Sequence, residues 1–266
     1  MRLDTKVTII RLKDPLYDAR IQRIVRTLAG QGYQVDVIYL PSRNSTGQLD
    51  IAGIKFHAIR LVSRKLPQWK LGQAIKYIEF LLRATVAGWR SKAHVYSAGT
   101  TDALVPAYIA SKLARAKLIY EAQELYAETD YTPFPRFWAW IERTLLPKAS
   151  GITAANAERA QVMNEEYNSP ALPVVISNCP PVYDPRNVQR IQWSMHNGQK
   201  VWESGAKVVL YQGSIAHGRG LLSLISAMAH LPQYVYLALV GPQDSEFVEQ
   251  ARQIAVEVGA QDRIVW

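Results

Sequence analysis

A single cysteine, Cys179, excludes a disulfide within the chain and fits a reducing compartment. Its expected role is that of a small buried hydrophobe, with a reactive thiol as the alternative. No apolar run reaches the roughly 20 residues that a membrane-spanning helix needs. The longest, IEFLLRATVAGW, is interrupted by Glu79 and Arg83. Residues 1–14 carry charges at Arg2, Asp4, Lys6, Arg11 and Lys13 and hold no apolar core of signal-peptide length. The histidines stand at 57, 94, 196, 217 and 230, without the spacing of a zinc site, so no metal is expected. A G-x-S-x-G nucleophile elbow is missing as well.

Acidic residues are in the minority, 22 against 31 Lys plus Arg, for a formal net charge of +9. A positive field attracts anions: nucleic acid, acidic lipid or phosphorylated small molecules. The basic residues are spread along the chain, so charge alone does not choose among these. No recognised nucleic-acid motif is present, and no nucleic-acid partner is expected. At 266 residues the chain suits two α/β units, or one and a fraction.

What is present is an alternation. KVTIIRL (6–12) reads as a buried strand. In DARIQRIVRTLAGQG, which follows, Ile21, Ile24, Val25 and Leu28 recur at the spacing of an amphipathic helix. YQVDVIYL is the next strand. Further strands are predicted near 54–61 and in HVYSA, KLIYEA, GITAA and PVVIS, with helices near 71–91, 101–114, 135–147 and 156–166. Strands alternating with helices indicate βαβ units and a parallel, doubly wound, Rossmann-like sheet. The stretch after Ser177 is rich in proline and polar residues and reads as a connection. The alternation then restarts with strand KVVLYQG, helix GLLSLISAMAHL, strand YVYLALVG, helix SEFVEQARQIAVEVG and strand RIVW. The expected organisation is a first domain at 1–180, a linker at 181–206, and the start of a second Rossmann-like domain at 207–266. Two and a half βα units cannot bury both faces of a sheet, so this second domain is expected to be incomplete and the chain a fragment.

YQGSIAHGRG (211–220) nearly matches a P-loop. Gly213 and Gly218 have the right spacing, but Arg219 replaces the lysine and Gly220 the hydroxyl that would hold magnesium, which argues against an ATPase. A strand-to-helix loop still presents free N–H groups and a positive dipole end to a phosphate. An ordinary βα turn is the alternative. Gly30-Gln31-Gly32 lacks a third glycine and follows the first helix, while the loop RLKDPLYDAR has no glycine at all. Both facts argue against a nicotinamide enzyme or an epimerase. YEAQELYAE (120–128) puts Glu121, Glu124 and Glu128 just beyond a strand's C-terminal end, where open α/β sheets bind ligands. Paired carboxylates there suit acid–base work, and a solvated helix start is the alternative. The aromatic segment Tyr131, Phe134, Phe137, Trp138 and Trp140, with Trp69, Tyr77, Phe80 and Trp89 interleaved among Lys70, Lys76 and Arg83, suits an anionic membrane surface. The expectation is a cytoplasmic protein with peripheral contact on the inner face of a membrane. Packing of these helices against the sheet is the alternative.

Four segments, in order, resemble the retaining GT-B glycosyltransferases of family 4. DARIQRIVRTLAGQGYQVDVI is similar to that family's first helix and second strand, and AKLIYEAQELYAE to its strand-end segment V-Y-D-x-H-E. ITAANAERAQVMNEEYNSPALPVVISNCPP resembles the close of its first domain, and LYQGSIAHGRGLLSLISAMAHL the opening of its donor domain. The resemblance implies two facing Rossmann-like domains with a nucleotide-sugar in the cleft. Transfer would be metal-independent, without a cofactor, and with retained anomeric configuration. It assigns Asp18 and Arg20 to the acceptor side and Glu121, Gln123 and Glu124 to the catalytic segment. Gly213, Ser214, Arg219, Gly220 and Gly241 fall to donor binding. The partners implied are a nucleotide-sugar donor and a carbohydrate or lipid-linked acceptor, as in polysaccharide biosynthesis. Arg219 takes the family's lysine position, Ser214 its arginine position, and Gln123 that of a common histidine. The family's E-x7-E carboxylates lie past the end of this chain. Glu158 with Glu166, and Glu249 with Glu257, share that spacing inside predicted helices and read as coincidence. Gln123 keeps a second reading open, a non-catalytic GT-B-like binding protein.

Overall fold

Strand β1 (Lys6–Arg11) carries the apolar run read from its sequence, and five of its six residues are buried. Such a strand is covered on both faces, as in a parallel sheet between helix layers. It is followed by α1 (Ala19–Gly30), β2 (Gln34–Tyr39), β3 (Ile54–Ala58), α2 (Lys70–Ser91), β4 (Val95–Ala98), α3 (Thr101–Leu113), β5 (Lys117–Ala122), α4 (Pro135–Leu145), β6 (Gly151–Ala154), α5 (Ala157–Glu166) and β7 (Val174–Val175). The strands form one parallel sheet in the order β3-β2-β1-β4-β5-β6-β7. This computed structural model describes residues 5–43, 45, 47, 49–67, 69–123, 134–167, 169–179, 182, 195–196, 199–200, 202 and 205–266. It divides into two compact units, Met1–Pro180 and Pro181–Trp266.

The two-residue period of the strands sorts the first unit's core. Val7, Ile9, Val35 and Val37 pack with Ile21 and Val25 of α1. Ile10, Ile38 and Tyr96 pack on the other face with Phe80 and Ala84 of α2 and Leu104 and Ala107 of α3. The chain reverses its winding between β1 and β4, the switch point of a doubly wound sheet, where a crevice opens at the carboxyl ends of the strands. Two strands are shorter than predicted: β3 ends at Ala58, and β7 is a two-residue edge strand with both valines exposed. Cys179 is exposed, which corrects its expected burial. It lies beyond the edge strand β7 in the chain.

In the second unit, β10 (Lys207–Gln212), α6 (Leu221–Ala227), β11 (Val235–Val240), α7 (Ser245–Glu257) and β12 (Ile264–Val265) build a parallel sheet ordered β10-β11-β12. Its core joins Ile215, Leu221, Ile225, Leu237, Leu239, Phe247, Ala251 and Ile264. Strand β10 contributes no buried residue to it. Arg263 is buried and donates to the carbonyls of Met228, Leu231, Pro232 and Val235 at 2.6–3.4 Å. Within the expected linker, β8 (Met195–His196) pairs antiparallel with β9 (Gln199–Lys200). Asn197-Gly198, a strong signal for a two-residue hairpin turn, separates them in sequence.

Helix α2 is apolar on two faces. Phe80 is fully buried, and Tyr77 turns inward with its OH donating to Asp102 O at 3.0 Å and its ring edge-on to Trp138. Phe80 is therefore core and Tyr77 is half-buried and turned inward, a correction to the expected membrane-facing set. The outer face carries Trp69, Leu71, Ile75, Ile78, Leu82, Val86 and Trp89, each between 41% and 63% exposed. Phe134, Phe137 and Trp140 of the α4 region are also exposed, whereas Trp138 is buried. Among the described residues, no helix is long and apolar enough to cross a membrane.

Candidate functional site

Arg11 ends β1 with its whole side chain buried. Burying a guanidinium is costly unless charge and hydrogen bonds compensate it. Its Nη2 donates to Asp18 Oδ2 at 2.6 Å and to Gln123 Oε1 at 3.2 Å. Asp18 serves twice, because its Oδ1 caps α1 by accepting from the N–H groups of Arg20 and Ile21 at 3.0 and 3.2 Å. The cap fixes Arg20, whose Nε donates to Glu121 Oε1 at 2.5 Å and whose Nη2 donates to Ile176 O at 3.2 Å. Asp18, Arg20, Glu121 and Gln123, all singled out from the sequence, thus meet where the ends of β1 and β5 face α1. Glu121 belongs to β5 itself, not to the segment beyond it, and is buried. That corrects the reading of a solvated helix start. Glu124 and Glu128 lie outside the described residues.

Alternation along β5 sends Tyr120 to the opposite face. There its OH donates to Glu142 Oε1 at 2.5 Å and shares a 2.9 Å contact with Thr101 Oγ1. Burial first, and then the neighbouring Glu142 charge, push this phenol well above its ordinary pKa.

At the carboxyl ends of the strands a cavity of about 820 Å³ opens, lined by Leu12–Asp14, Tyr17–Arg20, Leu40–Ser42, Arg64, Gln123, Ala155, Arg159 and Asn178. Its size is that of a small-ligand pocket. Asp14 braces it, accepting from Leu16 N at 3.0 Å and Ser42 N at 2.9 Å. Arg64 donates to Pro41 O at 2.7 Å, and Arg159 donates to Gln123 O. Arg11, Asp14, Arg64 and Arg159 were not singled out as site residues from the sequence. The signal for Arg11 was available: a charge closing an otherwise apolar strand. Arg159, in the first turn of a helix capped by Asn156, reads in sequence as an ordinary surface residue. Among the described residues, no group of three His, Cys, Asp or Glu is arranged to hold a metal.

In the second unit, Gly213, Ser214, Arg219 and Gly220 lie on one loop between β10 and α6, with Gly241 at the end of β11. The loop is fastened through Ile215, which is buried. Its N–H donates to Pro242 O at 2.8 Å, and its carbonyl accepts from Asp244 N at 3.0 Å. Gly220 has φ 68° and starts α6. Gly241 approaches so closely that a Cβ there would lie 1.8 Å from Gly213 O. Arg219 is exposed, with no carboxylate partner among the described residues.

Comparison with solved structures finds the same fold in several proteins. Sucrose-phosphate synthase from Thermosynechococcus elongatus superposes with a TM-score of 0.73 at 16% identity, over 98% of this chain and 69% of that one. HepE from Anabaena, in complex with UDP-glucose, gives 0.67 at 16% identity, over 98% and 68%. WaaG, a glycosyltransferase involved in lipopolysaccharide biosynthesis, gives 0.65 at 15% identity, over 97% and 68%. No curated protein matches the sequence. The family described as glycosyl transferase 4-like domain matches residues 17–179, which hold the capped helix, the Arg20–Glu121 pair and most of the cavity wall. The fold is that of the GT-B glycosyltransferases, and the chain belongs to the glycosyl transferase 4-like family.

Proposed function

We propose that the protein transfers a sugar from a nucleotide-sugar donor to a carbohydrate or lipid-linked acceptor, with retention of anomeric configuration and without a metal. The observation that carries this is the cavity with charged side chains in its wall at the switch point of the first unit. It is walled by fixed charges and wide enough for a sugar. In this reading the first unit holds the acceptor and the second unit takes the donor diphosphate at the Gly213–Gly220 loop, with Arg219 as its cation. The fold shared with HepE, whose structure holds UDP-glucose, supports a nucleotide-sugar donor. Glu121 is held by Arg20, so it positions α1 in place of exchanging protons with substrate. Gln123 contributes hydrogen bonds only, since an amide does not titrate. A non-catalytic sugar-nucleotide binder is the second reading, favoured by that same glutamine.

The test uses the full-length protein with UDP-, GDP- and ADP-sugars and candidate acceptors. Release of one nucleotide, with an NMR-resolved product of unchanged anomeric configuration, is the expected outcome. Binding of a sugar nucleotide without release in any combination would leave the binder.

We also assign the outer face of α2 to peripheral contact with an anionic membrane. Its apolar side chains recur every three or four residues along the helix, with Trp69 and Trp89 at the ends and Lys70, Arg83 and Arg90 exposed on its surface.

A further inference from the structure

We propose that the acceptor taken by the first unit's cavity carries an anionic group, a phosphate or a carboxylate, bound by Arg64 and Arg159. This rests on the glycosyltransferase reading of the same cavity. Its walls bear Lys13, Arg20, Arg64 and Arg159 against Asp14 and Asp18. Two of these charges are already answered: Asp18 by Arg11 at 2.6 Å and Arg20 by Glu121 at 2.5 Å. Asp14 directs its two oxygens to the N–H groups of Leu16 and Ser42. Lys13, Arg64 and Arg159 have no carboxylate partner among the described residues. Arg64 and Arg159 are half-buried, and each donates to one main-chain carbonyl, which leaves most of each guanidinium fork unused. Gln123 Nε2 is a buried donor with no acceptor among the described residues.

Among the described residues, surplus donors, two guanidinium forks with most of their N–H groups unused and an excess of positive charge make the cavity complementary to a planar or tetrahedral oxyanion. A neutral sugar would leave those half-buried cations without a counter-charge among the described residues. Tyr17, 61% exposed, lines the same wall.

The experiment measures binding to the full-length protein by calorimetry with four probes: glucose, glucuronate, glucose 6-phosphate and UDP. The expected result is an affinity for at least one charged sugar about tenfold or more above that for glucose, weakening with salt. Arg64→Gln with Arg159→Gln removes the preference, and Arg64→Lys with Arg159→Lys, which keeps the charge, restores much of it. Stronger binding of glucuronate or of glucose 6-phosphate separates the carboxylate from the phosphate source. Equal affinity for glucose and both charged sugars, no binding of any of the three, or a preference that survives the double Gln variant would overturn the inference. UDP separates the two readings: UDP binding without an anion preference sinks this inference alone. An anion preference with neither UDP binding nor nucleotide release sinks the transferase reading.

Discussion

Arg20 Nε lies 2.5 Å from Glu121 Oε1, with both side chains about nine-tenths buried, so the first turn of α1 is bonded to the end of β5 across 101 residues of chain. Removing one member of such a pair strands the other charge in the interior. Glu121→Ala should cost about 3–5 kcal/mol, read as a lower urea midpoint. Glu121→Gln, which keeps an acceptor for Arg20, should cost clearly less. A Gln variant of wild-type stability that has lost all turnover would instead make Glu121 a catalytic residue.

Arg219 is exposed on the β10–α6 loop. Arg219→Ala is expected to weaken donor binding by about 1.5–3 kcal/mol, the worth of a charged hydrogen bond. Titration with UDP measures it. Unchanged affinity would reduce the loop to a plain turn.

Two glycines of the second unit separate close approach from backbone conformation. At Gly241, φ is 149° and a Cβ would meet main-chain oxygen at 1.8 Å. Gly241→Ala should therefore destabilise the second unit by about 3 kcal/mol or more. Gly218 has φ 75° but nothing within 4 Å of an added Cβ, so Gly218→Ala should cost only about 1–2 kcal/mol. Equal melting shifts for the two variants would contradict this.

Glu79 reaches from α2 to the segment before it, accepting from Val62 N and Ser63 N at 2.8 Å and from Arg83 Nε at 2.7 Å. Ser63 contributes most, joined by Val62 N–H and Arg83, and together they hold the carboxyl at about 2 in place of 4.5. A folded-state pKa depressed in this way gives stability that is fully present above the unfolded value near 4.5 and is lost as pH falls toward 2. Glu79→Gln should lower the melting temperature at pH 7, and the gap to wild type should close between pH 4.5 and 2. A gap independent of pH would mean that the carboxylate charge is not involved.

For the membrane contact, wild-type protein should sediment with phosphatidylglycerol vesicles and not with phosphatidylcholine vesicles at low salt. Ile78→Ser with Leu82→Ser, on the outer face of α2, should release it. Equal recovery in the supernatant with both lipids would remove the idea.

Much of the fold was legible in the sequence because parallel strands covered on both faces must be apolar runs, and amphipathic helices must alternate with them. The site was legible where one local segment carries it. The family resemblance of their segments marked Asp18, Arg20, Glu121 and Gln123, whereas the capping by Asp18 and the place of Glu121 within β5 came only from the structure. Asn197-Gly198 is the local sequence signal for the antiparallel β8–β9 pair.

Other features were decided only by tertiary structure, because they depend on what arrives from far along the chain. Arg11 looks like a charge at a strand end until Asp18 and Gln123, the latter 112 residues away, meet its guanidinium. Helix α2 is apolar on two sides, so its sequence allows either to face the sheet. The packing of α3 and α4 chose the side bearing Tyr77 and Phe80 and left Leu71, Ile78 and Leu82 outside. Local pattern determines that an element forms and how its faces are composed. Which face is buried, and which charges are left unanswered in a cavity, follows from the long-range contacts that the assembled sheet imposes.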